Sequence, residues 1–204
     1  MTTDAETAAH RDPAYRRVLV EAALLNAAMF FVEGAVGLWI GSAALVADAV
    51  DFLEDTGIYG LGILAVGWSL RNRARAGFVM GILMTLVGLV ALVQVLVRLW
   101  YGGVPSALGM SVTAAVALAV NVTVATRLAA WRGGDSSMRS IWLSTRNDAL
   151  LNGLTVVAGV LVANRGAAWP DIVAGLVIAA VNLWAAREIL TSARTELRAA
   201  ASPS

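Results

Sequence analysis

The sequence predicts an all-α, polytopic membrane protein with six transmembrane helices and both termini in the cytoplasm. Three observations carry that expectation. The chain is 59% hydrophobic and only 14% charged, with a mean hydropathy of +0.74, whereas soluble domains carry about 25% charged residues. Six apolar stretches, approximately 17–40, 43–70, 77–101, 107–131, 141–163 and 169–190, each reach the roughly 20 residues that a helix needs to cross a bilayer. The arginines gather on one side of that plan. Residues 1–16 are then a cytoplasmic N-terminal tail, 17–190 the transmembrane domain and 191–204 a short cytoplasmic C-terminal tail.

Each element has a local reason. The opening residues, with Asp4, Glu6, His10, Arg11 and Asp12, contain no short apolar core followed by a cleavage site, so they read as a mature end and not a signal peptide. Gly41-Ser42 joins the first two spans so tightly that they form a helical hairpin. "YGGVPS" and "ANRGAAWP" break the chain after the third and fifth spans. Trp39, Trp68, Trp100, Trp131, Trp142 and Trp169 fall near span ends, as interfacial anchors do. Arg11, Arg16, Arg17, Arg71, Arg73, Arg75, Arg127, Arg132, Arg139, Arg187, Arg194 and Arg198 lie on the side of the termini, against Arg98 and Arg165 on the other, with Arg146 inside the fifth span. The positive-inside rule places the first group in the cytoplasm. All fifteen basic residues are Arg, which reads as the codon usage of a GC-rich bacterium and points to its inner membrane. A net charge of +1 gives no reason to expect nucleic acid, and the absence of cysteine excludes disulfides and thiolate ligands. With only short tails outside the bilayer, the expected function lies within it.

The second span carries "ADAVDFLEDTG", with four carboxylates at Asp48, Asp51, Glu54 and Asp55. At about 100° per residue Asp48, Asp51 and Asp55 share one helix face. A charge at the centre of a membrane helix costs about 2.5–3.5 kcal/mol even on the lenient insertion scale. A span that starts later would leave Asp48 in solvent, but it would not explain Asp51 and Asp55. In the fifth span Ser144, Asp148 and Asn152 recur every four residues, and Thr155 extends the same face. Arg146 points to the opposite side, where it can reach the surface. Asp55 and Asp148 fall about 10 and 12 Å above the inner edge of a ~30 Å core, so they can meet at one level. Carboxylates with Ser or Asn oxygens on two helices make an oxygen site for a divalent cation.

The run from Asn26 and Glu33 through Gly37 and Gly41-Ser42 to Asp51-x3-Asp55 resembles the first hairpin of cation diffusion facilitators, and Asp148 with "WPD" at Asp171 extends the likeness over all six spans. The resemblance implies a homodimeric exporter of Zn²⁺, Co²⁺, Cd²⁺, Mn²⁺ or Fe²⁺ that exchanges metal for protons and is not an enzyme. It implicates Asp51, Asp55 and Asp148 as metal ligands. Ser144 stands where the family carries His or Asp, with Asn152 or Asn147 as candidates to compensate. The family's cytoplasmic domain is not expected here, which leaves dimerisation to the membrane helices. Asn26, Glu33 and Asp48, with Asn147, are expected to line the polar cavity around the site. Gln94, Asn121 and Asn182 read as hydrogen bonds between helices, and the Gly77, Gly81, Thr85 stripe as either a dimer contact or packing within one bundle. Two alternatives remain. One is a transport-inactive relative acting as a partner subunit. The other is an intramembrane aspartyl protease, which would need GxGD and a Tyr-Asp pair, whereas "TRN" precedes Asp148 and "DAV" precedes Asp51.

Overall fold

The computed structural model describes residues 12–64, 68–131 and 136–199. Most of the expected N-terminal tail, residues 65–67 of the expected second span, Arg132 and the end of the C-terminal tail therefore lie outside the described residues. Six α-helices follow one another: α1 (Pro13–Ile40), α2 (Ala43–Leu64), α3 (Leu70–Tyr101), α4 (Ala107–Leu128), α5 (Ser136–Arg165) and α6 (Trp169–Ala199), with a 3₁₀ turn at Ala129–Trp131. Among the described residues there is no strand.

Five of these helices are long and apolar enough to cross a membrane. The sixth, α2, has 22 residues, a length of about 33 Å, and differs by carrying the four carboxylates. It is also the most enclosed helix. Every residue from Ala43 to Phe52 is buried, because α1, α3, α5 and α6 all pack on it. Large apolar side chains such as Phe31, Trp39, Leu86 and Trp100 face outward instead. Lipid is as apolar as a core, so an inward polar helix inside an outward apolar shell is the arrangement a bilayer favours.

The α1–α2 turn is fixed from several directions. Gly41 adopts φ 68°, and its N–H bonds the carbonyl of Gly37, as a left-handed C-cap does. Arg98 of α3 donates from Nε to the Gly41 carbonyl at 2.5 Å and from Nη2 to the Ile40 carbonyl at 2.6 Å, closing the carbonyl end of α1. Asp171 in the first turn of α6 accepts from Ser42 Oγ at 2.6 Å, Ala43 N at 2.9 Å and Ala44 N at 3.1 Å. Ser42 Oγ in turn accepts from Leu45 N at 3.2 Å. The free amides that start α2 are therefore met by its own cap and by a carboxylate 127 and 128 residues away.

Helices outrun the apolar spans that announce them. α3 starts at Leu70 and not near 77, α5 at Ser136 and not near 141, and α6 runs to Ala199 through most of the expected C-terminal tail. Hydropathy marks the edge of the hydrocarbon, whereas backbone hydrogen bonding continues into water as long as propensity allows. The small-residue stripe of α3 is used inside the bundle. A Cβ on Gly81 would meet Leu190 Cγ at 2.7 Å and the Ala186 carbonyl at 3.4 Å, and one on Gly77 would meet Ala193 Cβ at 3.9 Å. Gly77 and Gly81 face α6 of the same chain, which fits the second of the two readings, packing within one bundle. Gly81→Val is expected to lower stability by about 1–3 kcal/mol through overpacking, read as an earlier thermal unfolding transition in detergent. A cysteine at Gly81 is expected not to crosslink two copies, and efficient crosslinking there would contradict the α3–α6 packing.

Candidate metal centre

The carboxylates of α2 occupy the interior of the bundle. Asp48, Asp51 and Asp55 are 0, 6 and 2% exposed, so the solvated reading of Asp48 does not apply. Their spacing of three and four residues keeps them on the face that α2 turns away from lipid. Asp55 Oδ2 accepts from the hydroxyl of Tyr59, one turn further along α2, at 2.8 Å. That hydroxyl also lies 2.5 Å from Thr145 Oγ1 on α5. Thr145 Oγ1 in turn lies 3.0 Å from the carbonyl of Ile141. Asp55, Tyr59 and Thr145 thus form a hydrogen-bonded link between the two helices that carry the expected ligands. Tyr59 and Thr145 escaped the sequence reading, although Tyr59 stands at i+4 from Asp55, where a helix places neighbours.

On α5, Asp148 is half-buried and lies within electrostatic reach of Asp55 and Asp51. Ser144 is half-buried on the preceding turn. Asn152 is fully buried. Its amide nitrogen donates to Asp48 Oδ1 at 3.2 Å and to the Asp148 carbonyl at 2.9 Å, which draws Asn152 toward Asp48. Thr155 is buried beside Asp48 as well. Arg146 is exposed and stands over Trp142, 5.5 Å from the ring centroid. Asn147 is exposed too, with its Oδ1 taken by Arg146 at 3.3 Å. This corrects the expectation that Asn147 lines the cavity: one residue before Asp148, it is rotated by about 100° off that face.

α1 supplies the remaining polar groups. Asn26 and Glu33 are both fully buried. Asn26 donates to the Ala22 carbonyl of its own helix at 2.8 Å. Elsewhere, Asn182 bonds the Ala47 carbonyl at 2.9 Å, as expected of an interhelical tie. Asn121 is buried with neither amide atom partnered, so it is not the tie expected of it.

Among the described residues, no ion pair reaches this charge. The ion pairs found among the described residues, Arg17 and Arg127 with Glu21, involve none of these carboxylates. Both Glu33 oxygens, Asp48 Oδ2, Asp51 Oδ2, Asn26 Oδ1 and Asn152 Oδ1 are buried without a hydrogen-bond partner. Buried acceptors without donors are costly, and a cation is the partner that satisfies many at once. Among the described residues, no three acidic side chains are drawn together tightly enough to ligate one ion; α2 and α5 pack less closely on each other than either does on its hairpin partner. Apolar plugs close the layer at both ends. Tyr15, Leu19, Tyr59, Leu128 and Ile141 form one; Ala44, Leu45, Met110, Ala158 and Val162 form the other.

The family model described as the cation efflux transmembrane domain matches residues 19–197. No curated protein matches the chain significantly.

Proposed function

The chain belongs to the cation efflux family of metal transporters, and from that premise we infer that it exports a divalent transition-metal cation of the Zn, Co, Cd, Mn or Fe class across a bacterial inner membrane. Asp51, Asp55 and Asp148 bind the ion, and Ser144 supplies the fourth oxygen. The observation that carries this reading is the buried layer of acceptor oxygens that none of the ion pairs found among the described residues reaches. In the proposed cycle both termini face the cytoplasm. Metal enters from that side and displaces protons from the carboxylates, and the helices rock to expose the ion outward. Returning protons then restore the carboxyls and reset the site. The Tyr59–Thr145 link bridges α2 and α5 below Asp55, so it breaks or slides when the two helices separate. The working unit is a homodimer joined through membrane helices.

The function is tested in proteoliposomes that hold a fluorescent metal indicator and a pH dye. Metal entry coupled to proton exit is the expected result. Absence of flux for every metal of the class would instead favour a transport-inactive partner subunit, the reading that the neutral Ser144 allows. Ser144 also sets the metal preference. An all-oxygen site is harder than one with imidazole, so Ser144→His is expected to raise the Zn²⁺-to-Mn²⁺ binding ratio by about tenfold or more, as one added nitrogen ligand does. An unchanged ratio would move the fourth ligand away from residue 144.

A further inference from the structure

A second group of unsatisfied oxygens lies beside the proposed site and is not used by it. Glu33 on α1 is 0% exposed, and neither of its carboxylate oxygens has a partner. It is within electrostatic reach of Asp48 and Asp51. Asp48 is equally enclosed; one oxygen takes the Asn152 amide nitrogen at 3.2 Å, and the other has no partner. The Asn152 Oδ1 is buried and unpartnered as well. Three oxygen-bearing side chains therefore come from three different helices, and with the carboxyls ionised their free atoms are all acceptors.

Their level in the bundle is set by the direction of each helix. α2 runs from the α1–α2 turn toward Tyr59, and α5 runs the opposite way, since Ile141 packs with Tyr59 whereas Ala158 and Val162 pack with Ala44 and Leu45. α1 is antiparallel to α2, with Tyr15 and Leu19 beside Tyr59. Asp48 is thus nearer the α1–α2 turn than Asp51 and Asp55. Asn152 is nearer it than Asp148, and Glu33 nearer it than Asn26, each by one or two helical turns of about 5.4 Å. We propose that Glu33, Asp48 and the Asn152 amide oxygen form a second cation site, one turn closer to the α1–α2 turn than the Asp51–Asp55–Asp148 cluster, in which the transported ion rests on its way through the bundle. Asp51 links the two sites, because it sits beside Asp48 and keeps Oδ2 free. Two carboxylates offset the charge of a divalent ion in a region where an uncompensated ion is costly. An all-oxygen set accepts hard ions such as Mn²⁺. On this assignment Asn152 serves the second site, leaving Ser144 to the first.

The proposal rests on the transport reading and separates from it by Mn²⁺ binding to the full chain in lipid nanodiscs, counted by electron paramagnetic resonance of the unbound ion. The double variant Asp55→Asn/Asp148→Asn disables the first site and is expected to retain one ion. Adding Glu33→Gln, which keeps the shape and removes the charge, is expected to weaken that residual binding by about tenfold or more, the loss that follows removal of one ligand's charge. Glu33→Asp, which keeps the charge, is expected to restore part of it. If the double variant binds nothing while the unaltered protein binds Mn²⁺, the second site is overturned and the first stands. Residual binding that survives both Glu33→Gln and Asp48→Asn would place the ion elsewhere and overturn the proposal. If the unaltered protein binds no Mn²⁺ while proteoliposomes carry another metal of the class, the second site as a hard-ion site is overturned and the transport reading stands.

Discussion

Asp55→Ala and Asp148→Ala are each expected to reduce metal-dependent flux in proteoliposomes by about 100-fold or more, whereas Asn121→Ala is expected to leave it unchanged. The size of the effect follows from what each change removes. Loss even of a group that only supports a metal ligand typically costs 10–100-fold in affinity, and on the proposed assignment these substitutions remove the ligand itself together with its charge. Asp55 is 2% exposed and bound by Tyr59, so its deletion also releases the link to Thr145. Asp148 is the acidic group that α5 places within reach of Asp55 and Asp51. Asn121 makes a sound control, because it is buried with no hydrogen bond to lose. Flux in Asp148→Ala equal to that of the unaltered protein would remove α5 from the site.

The second large effect is on stability. Asp171→Ala is expected to destabilise the protein by about 3–5 kcal/mol, through the loss of hydrogen bonds to a buried carboxylate that stabilise by about 1.5–3 kcal/mol each and do not add fully. The substitution leaves Ala43 N and Ala44 N at the start of α2 without acceptors and frees Ser42 Oγ. Arg98, close enough to act on the Asp171 charge, keeps its bonds to Ile40 and Gly41, so α1 stays capped while α2 does not. Asp171→Asn retains one acceptor and is expected to fall between. Thermal unfolding in detergent, followed by tryptophan fluorescence, reads both. A transition temperature unchanged in Asp171→Ala would show that the α2 amides find other acceptors.

The parts of this fold legible in the sequence are those that depend on neighbours along the chain. Six helices, the Gly41-Ser42 hairpin and the shared face of Asp48, Asp51 and Asp55 follow from run length, turn chemistry and helical period. The same period places Ser144, Asp148 and Asn152 on one side of α5, and the structure keeps Ser144 and Asp148 half-buried there. What periodicity does not specify is which side chain across the bundle each of them meets. Asn152 turns to Asp48, Tyr59 to Thr145, and Asp171 to the start of α2; each pairing joins residues at least 86 positions apart. Asn147 shows the opposite failure. Its polarity next to Asp148 suggests a role in the cavity, yet one step along a helix changes the face, and Arg146 holds it outside.

The central claim is that carboxylates of α2 and α5 hold one ion between them. Crystals of the full chain grown with Mn²⁺ and recorded at the manganese absorption edge test it most directly. The account predicts an anomalous peak bounded by Asp51, Asp55 and Asp148, with oxygen ligands at about 2.0–2.3 Å. A protein that binds Mn²⁺ in solution but shows its strongest peak outside the α2–α5 interface would contradict it.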